Sequence, residues 1–179
     1  VNFDAYHISP IKSSDAWKVC NFIISNEDRL KTYFPNTLKQ NLTPELSKKF
    51  VEKKVKQFEL EEEYLFTIKT IETSEIVGLV YIKEIDCTTK QGEFAYCIGY
   101  PYTGKGITAK AIHLLSDYAF NDLGLKRLQI IVYKDNLASI QVAKNNNFTW
   151  IKTLKNEFTP IGSKPLDMEL YELYHEFEQ

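Results

Sequence analysis

Between residues 43 and 100 the apolar spacing of this chain changes from a period near 3.6 to a period of 2, and that change limits what it can fold into. Residues 43–63, "TPELSKKFVEKKVKQFELEEE", place Leu46, Phe50, Val51, Val55 and Phe58 on one helical face. Thr43 suits the N-cap, and Pro44 the first helical position, where its missing N–H costs nothing. The lysines on the other faces read as a solvated surface. The runs "YLFTIKTIE", "EIVGLVYIKEID" and "GEFAYCIGY" then follow, separated by short polar turns. Connections that short join antiparallel neighbours, because parallel strands need a long crossover.

The flanking segments complete a mixed α/β sheet. Residues 3–11, "FDAYHISPI", read as a first strand ending near Pro10. "SSDAWKVCNFIISNEDRLKTYF" begins with Ser and Asp caps and reads as one helix. After residue 106, "ITAKAIHLLSDYAFNDLGL" is a helix stopped near Gly124, "KRLQIIVYK" a strand and "NLASIQVAKNNNF" a helix begun by Asn136. "TWIKTLKNEF" and "PLDMELYELY" close the chain as two strands. No linker or repeat divides residues 1–179, so one domain is expected.

Composition removes several function classes. A net charge of −2, with arginine only at Arg29 and Arg127, gives no basic field for nucleic acid. Cys20, Cys87 and Cys97 lack C-x-x-C spacing, which argues against a disulfide framework or zinc site and for a reducing cytoplasm. No apolar run approaches membrane-spanning length and no leader opens the sequence, so neither a membrane nor secretion is expected. The glycosylation-like Asn41-Leu-Thr43 and Asn147-Phe-Thr149 are therefore read as accidental.

The junction "YPYTGKGITAKA" concentrates two of the seven glycines between a strand and a helix. Gly99 to Lys105 spells G-x-x-x-x-G-K, but the next position is Gly106 where a P-loop needs Ser or Thr for magnesium. A dinucleotide fingerprint fails as well, since Ala109 stands where G-x-G-x-x-G would end and no acidic residue follows suitably. What remains is a strand feeding a helix N-terminus through a loop whose amides can face a phosphate without metal, or an empty tight turn.

"GEFAYCIGYPYTGKGITAKAI" resembles the acetyl-CoA loop of the GNAT N-acetyltransferases, whose signature is Q/R-x-x-G-x-G/A at a strand-to-helix junction. It looks most like the RimJ/RimL-like branch acting on ribosomal-protein N-termini, with E-x-x-Y, then Y-x-G-K-G, then a helix. "YKDNLASIQVAKNNNF" is similar to that branch's N-x-x-S-x-x-x-x-x-x-x-G-F segment. Two positions depart. Pro101 replaces the first Gln or Arg, removing a side-chain contact, and Asn147 replaces a glycine, a change the left-handed conformation tolerates.

The resemblance implies a GNAT fold in which an antiparallel meander splays open at its centre to receive pantetheine. It implies that backbone groups of Cys97, Ile98 and Gly99 hold the pantetheine arm, and that Gly104, Lys105, Gly106, Ile107 and Thr108 surround the pyrophosphate. Asn136 would bond the pantetheine, Ser139 would donate to the leaving sulfur, and Lys144 could reach a phosphate. Plain helix capping would also explain Asn136. Glu93, matching the glutamate of E-x-x-Y, is the candidate base for the amine, against a solvent-facing strand carboxylate. Cys97 reads as a small buried residue and not a nucleophile, and His113 as packed or exposed. Trp17, Tyr33 and Phe34 are expected to line the acceptor wall. The implied partners are acetyl-CoA and an amine, on a protein N-terminus or small molecule, with no metal. A homodimer is left open, and a non-catalytic acyl-CoA binder is the rival reading.

Overall fold

The computed structural model describes residues 1–160 and 162–175. Among these residues eight strands form one sheet in the order β1-β2-β3-β4-β5-β6-β8-β7. They are β1 (Asn2–Phe3), β2 (Tyr6–Pro10), β3 (Tyr64–Thr70), β4 (Ile76–Asp86), β5 (Gln91–Ile98), β6 (Arg127–Tyr133), β7 (Thr149–Phe158) and β8 (Leu166–Tyr174). Every pairing is antiparallel except β5–β6, which the crossover helix α5 (Ile107–Asn121) makes parallel. The alternating runs form the expected meander β3–β4–β5.

Helices cover both faces. α1 (Ala16–Ser25), α2 (Glu27–Tyr33), α3 (Pro35–Lys39) and α4 (Pro44–Glu59) lie on one side, with Val19, Ile23, Leu30 and Val51 packed against Leu79 and Tyr81 of β4. On the other side, Ile107, Ala111 and Ile112 of α5 and Ala143 of α6 (Leu137–Asn145) pack with Val80 and Ile82. Successive β4 residues thus feed opposite cores, as the pleat requires.

Two helices behave as their caps predict. Thr43 Oγ1 accepts the Leu46 N–H at 3.3 Å at the head of α4. Asn147 follows α6 at φ +61°, the left-handed geometry expected there. The α4 face differs in detail: Leu46 is exposed, while Lys54 turns inward to pair with Glu63.

The expected single helix over residues 13–34 is instead a 3₁₀ turn at Ser13–Asp15, then α1 and α2. The break falls at Asn26, whose buried side chain donates to the Phe22 carbonyl at 2.8 Å and accepts the Tyr100 N–H at 3.1 Å. A side chain bonded to backbone on both sides competes with the helix ladder, and here it ties α2 to the chain leaving β5.

β5 pairs with β4 out to Ile98 opposite Gly78, but with β6 only over residues 91–94. Past Phe94 and Ile130 the two strands part, and β6 continues along β8 alone. This opening in mid-sheet positions the site.

Candidate active site

Ladder parity decides which β5 groups face the opening. The Gly99 N–H donates to the Val77 carbonyl at 2.8 Å. Bonded and unbonded positions alternate in an antiparallel pair, so Cys97 opposite Leu79 also spends its backbone groups on β4. Those of Tyr96 and Ile98 point into the gap. Of the expected pantetheine-binding backbones, Ile98 faces the gap, its carbonyl accepting Arg29 Nη1 at 2.9 Å, whereas Cys97 and Gly99 face β4; Tyr96 faces the gap as well.

The glycine loop prolongs this edge. Gly104 and Gly106 adopt φ +74° and +73°, and a Cβ added at either would meet nothing within 4 Å. The turn alone therefore calls for glycine, whatever binds there. Gly106 caps α5, and the first helical bond runs from the Lys110 N–H to the Gly106 carbonyl at 3.0 Å. Among the described residues the amides of Ile107, Thr108 and Ala109 have no helical acceptor and no side-chain cap, an arrangement that suits an anion. Lys105 stands apart, its Nζ 5.6 Å over the Tyr102 ring.

Two cavities meet here. One of about 500 Å³ runs from Tyr96, Cys97 and Ile98 past Gly104, Gly106 and Thr108. A second, of about 760 Å³, lies over Glu93, Lys83 and Tyr81 on the side of α2 to α4. Tyr33, Phe34, Tyr96, Asn136 and Ser139 line both, so the cavities join at these residues. Trp17, expected in the acceptor wall, is 60% exposed on α1 and lines neither. Lys144 is exposed and also lines neither.

At the junction, Asn136 Oδ1 accepts the Ser139 N–H at 3.2 Å, which is helix capping as the simpler reading had it. The Ser139 carbonyl accepts the Tyr96 hydroxyl at 3.1 Å. Burial pushes the Tyr96 phenol well above its ordinary range, so it remains a donor at neutral pH. The Ser139 hydroxyl has no hydrogen-bond partner among the described residues. Cys97 is pushed up to about 12 by burial, which keeps its thiol protonated and a poor nucleophile.

Glu93 projects from β5 into the larger cavity, its side chain 14% exposed and paired with Lys83 Nζ at 3.0 Å. Burial raises its pKa above the usual carboxylate value, Lys83 opposes the rise, and Glu84 and Glu157 add to it. It is therefore no solvated strand carboxylate. Bulges flank this cavity: Glu84 has φ +50° in β4, and Asn156, before Glu157, has φ +54° in β7.

The family model described as Acetyltransferase (GNAT) domain matches residues 7–149. The chain belongs to the GNAT acetyltransferase family. It is accordingly an acetyl-CoA-dependent N-acetyltransferase. It is similar to a Bacillus subtilis protein named probable N-acetyltransferase YjcK, 28% identical over 143 residues and 79% of each chain. It is also similar to spermidine N(1)-acetyltransferase of Escherichia coli, 36% identical over 84 residues, 47% of this chain and 45% of that enzyme. Its fold superposes on ribosomal-protein-S5-alanine acetyltransferase from Vibrio fischeri with a TM-score of 0.93, at 23% identity, covering 100% of this chain and 98% of that one. GNAT enzymes use acetyl-CoA, and the loop amides and open β5 edge of this member fit its pyrophosphate and pantetheine.

Sequence reasoning missed Arg29, Lys83, Tyr81 and Lys54. All but Lys83 come from residues whose inward direction depends on packing. Lys83 was legible only through the register that sets it opposite Glu93.

Proposed function

We propose that the chain acetylates a primary amine, foremost the N-terminal α-amine of a protein or peptide, by direct attack in a ternary complex. The meeting of the two cavities at Tyr96, Asn136 and Ser139 carries this reading. The donor lies along the loop cavity, and the acceptor enters past Glu93. Acetyl-CoA supplies an activated carbonyl and a thiol leaving group. Glu93 takes the proton from the amine, and the free Ser139 hydroxyl is placed to donate to the departing sulfur. Cys97 has no covalent role. The free cysteines accord with a cytoplasmic setting.

The acceptor class follows from proton affinity. An α-amine has a pKa of about 7.7–8.0 against about 10.4 for lysine, so lysine would need roughly 3 kcal/mol more help. A carboxylate raised by burial can serve the weaker base. A second reading, a polyamine, is favoured by one observation: Glu63, Glu84, Glu93 and Glu157 line the cavity against only Lys54 and Lys83, both of them ion-paired. That surplus suits an acceptor carrying a second cation, which a basic N-terminal peptide also provides.

Thiol release from acetyl-CoA tests this with three acceptors: a free peptide, the same peptide with a blocked N-terminus and one internal lysine, and spermidine. The free peptide is expected to be fastest. Acetylation of the blocked peptide at lysine would contradict the α-amine reading, and turnover with spermidine alone would install the second.

A further inference from the structure

Among the described residues, Arg29 is the one charged side chain lining the loop cavity. It rises from α2, and its Nη1 donates to the Ile98 carbonyl at 2.9 Å and to Thr103 Oγ1 at 3.2 Å. The guanidinium lies 4.8 Å over the Tyr100 ring. Among the described residues no carboxylate approaches within ion-pair distance, and Nη2 and Nε make no hydrogen bond.

This is an unusual way to hold a cation beside a cavity. Arginines at such positions ordinarily face a carboxylate or phosphate that uses the planar fork. Here both anchors are neutral oxygens, and they flank the loop: Ile98 precedes it and Thr103 adjoins Gly104. The start of α2 is pinned to the same place by Asn26, which accepts the Tyr100 N–H. Fixed in this way, the guanidinium enters the lining from α2, whose core face packs on the other side of the sheet from α5. The loop's own cation, Lys105, is outside the lining.

We propose that Arg29 is a donor-binding residue that contributes the one side-chain charge to the pyrophosphate site, in concert with the amides of residues 104–108. This rests on the donor reading of the loop cavity. It also gives α2 a part in both sites, because Tyr33 and Phe34 at its other end line the acceptor cavity.

The test compares coenzyme A, dephospho-coenzyme A and pantetheine as ligands, by calorimetry or thermal shift, on the wild type, Arg29→Gln and Arg29→Lys. Arg29→Gln is expected to lose about ten- to a hundredfold in affinity for both pyrophosphate ligands, the range for a hydrogen bond to a charged group. Pantetheine binding should not change. Arg29→Lys, which keeps the charge without the fork, should lose less on the same two ligands and nothing on pantetheine. Equal losses on all three ligands would make Arg29 a loop brace and overturn the proposal. So would a loss confined to coenzyme A, which would place the charge at the 3′-phosphate, or no loss at all. Failure of the wild type to bind coenzyme A would overturn the donor reading itself, and this proposal with it.

Discussion

Replacing Glu93 by glutamine is expected to lower kcat/KM by about 10²–10⁴-fold, the usual contribution of a positioned base. The loss should be greatest below the pKa of the acceptor amine and shrink above it, where the amine is already free. Stability should move the other way. Glu93 has a raised pKa in the fold, so the folded state binds its proton more tightly than the unfolded chain does. Its favourable contribution is complete below about pH 4.3, the ordinary glutamate value, and is lost as pH rises through the folded pKa. Above that folded pKa the ionised, buried carboxylate is a cost that Lys83 only partly offsets. Glutamine removes that cost, so the variant should melt no lower than the wild type at pH 7. A pH-independent fall in rate together with a lower melting temperature would make Glu93 structural.

The second large effect is at Gly106. Valine there is expected to abolish binding of coenzyme A, but valine also strains a backbone at φ +73°. Asparagine separates the two causes, because it tolerates the left-handed region and its Cβ has open space in the unliganded fold. The wild type should gain about 5–10 °C at a hundredfold excess of coenzyme A over Kd. Gly106→Asn should melt near the wild type alone yet show none of that gain, whereas Gly106→Val should lose both. Retention of the gain by the asparagine variant would mean that glycine serves the turn alone.

Features governed by local chemistry were legible in the sequence. Gly104, Gly106 and Asn147 sit where the chain needs positive φ, Thr43 and Pro44 open α4, and the period-2 runs form the meander. What escaped depended on distant partners. Asn26 looks like any helical residue until Tyr100, 74 positions away, claims its side chain. Lys54 belongs to a solvated face by spacing but is drawn inward by Glu63 and stands over Phe50 and Tyr81. The choice of Tyr96 and Ile98 over Cys97 and Gly99 rests on ladder parity, which a one-residue change of register would reverse. Trp17 has the right composition for a wall but stands on the outer side of α1.

Donor and acceptor are proposed to occupy separate cavities that meet at Tyr96 and Ser139. A two-step amide NMR titration distinguishes this arrangement from a shared site, with coenzyme A first and the accepted amine second. Coenzyme A is expected to shift the amides of Tyr96, Ile98, residues 104–109 and Ser139 while leaving Lys83 and Glu93 nearly still. The amine should then move Tyr81, Lys83, Glu93 and Ala95. Coenzyme A shifts centred on Glu93, or an amine response confined to the glycine loop, would contradict the account.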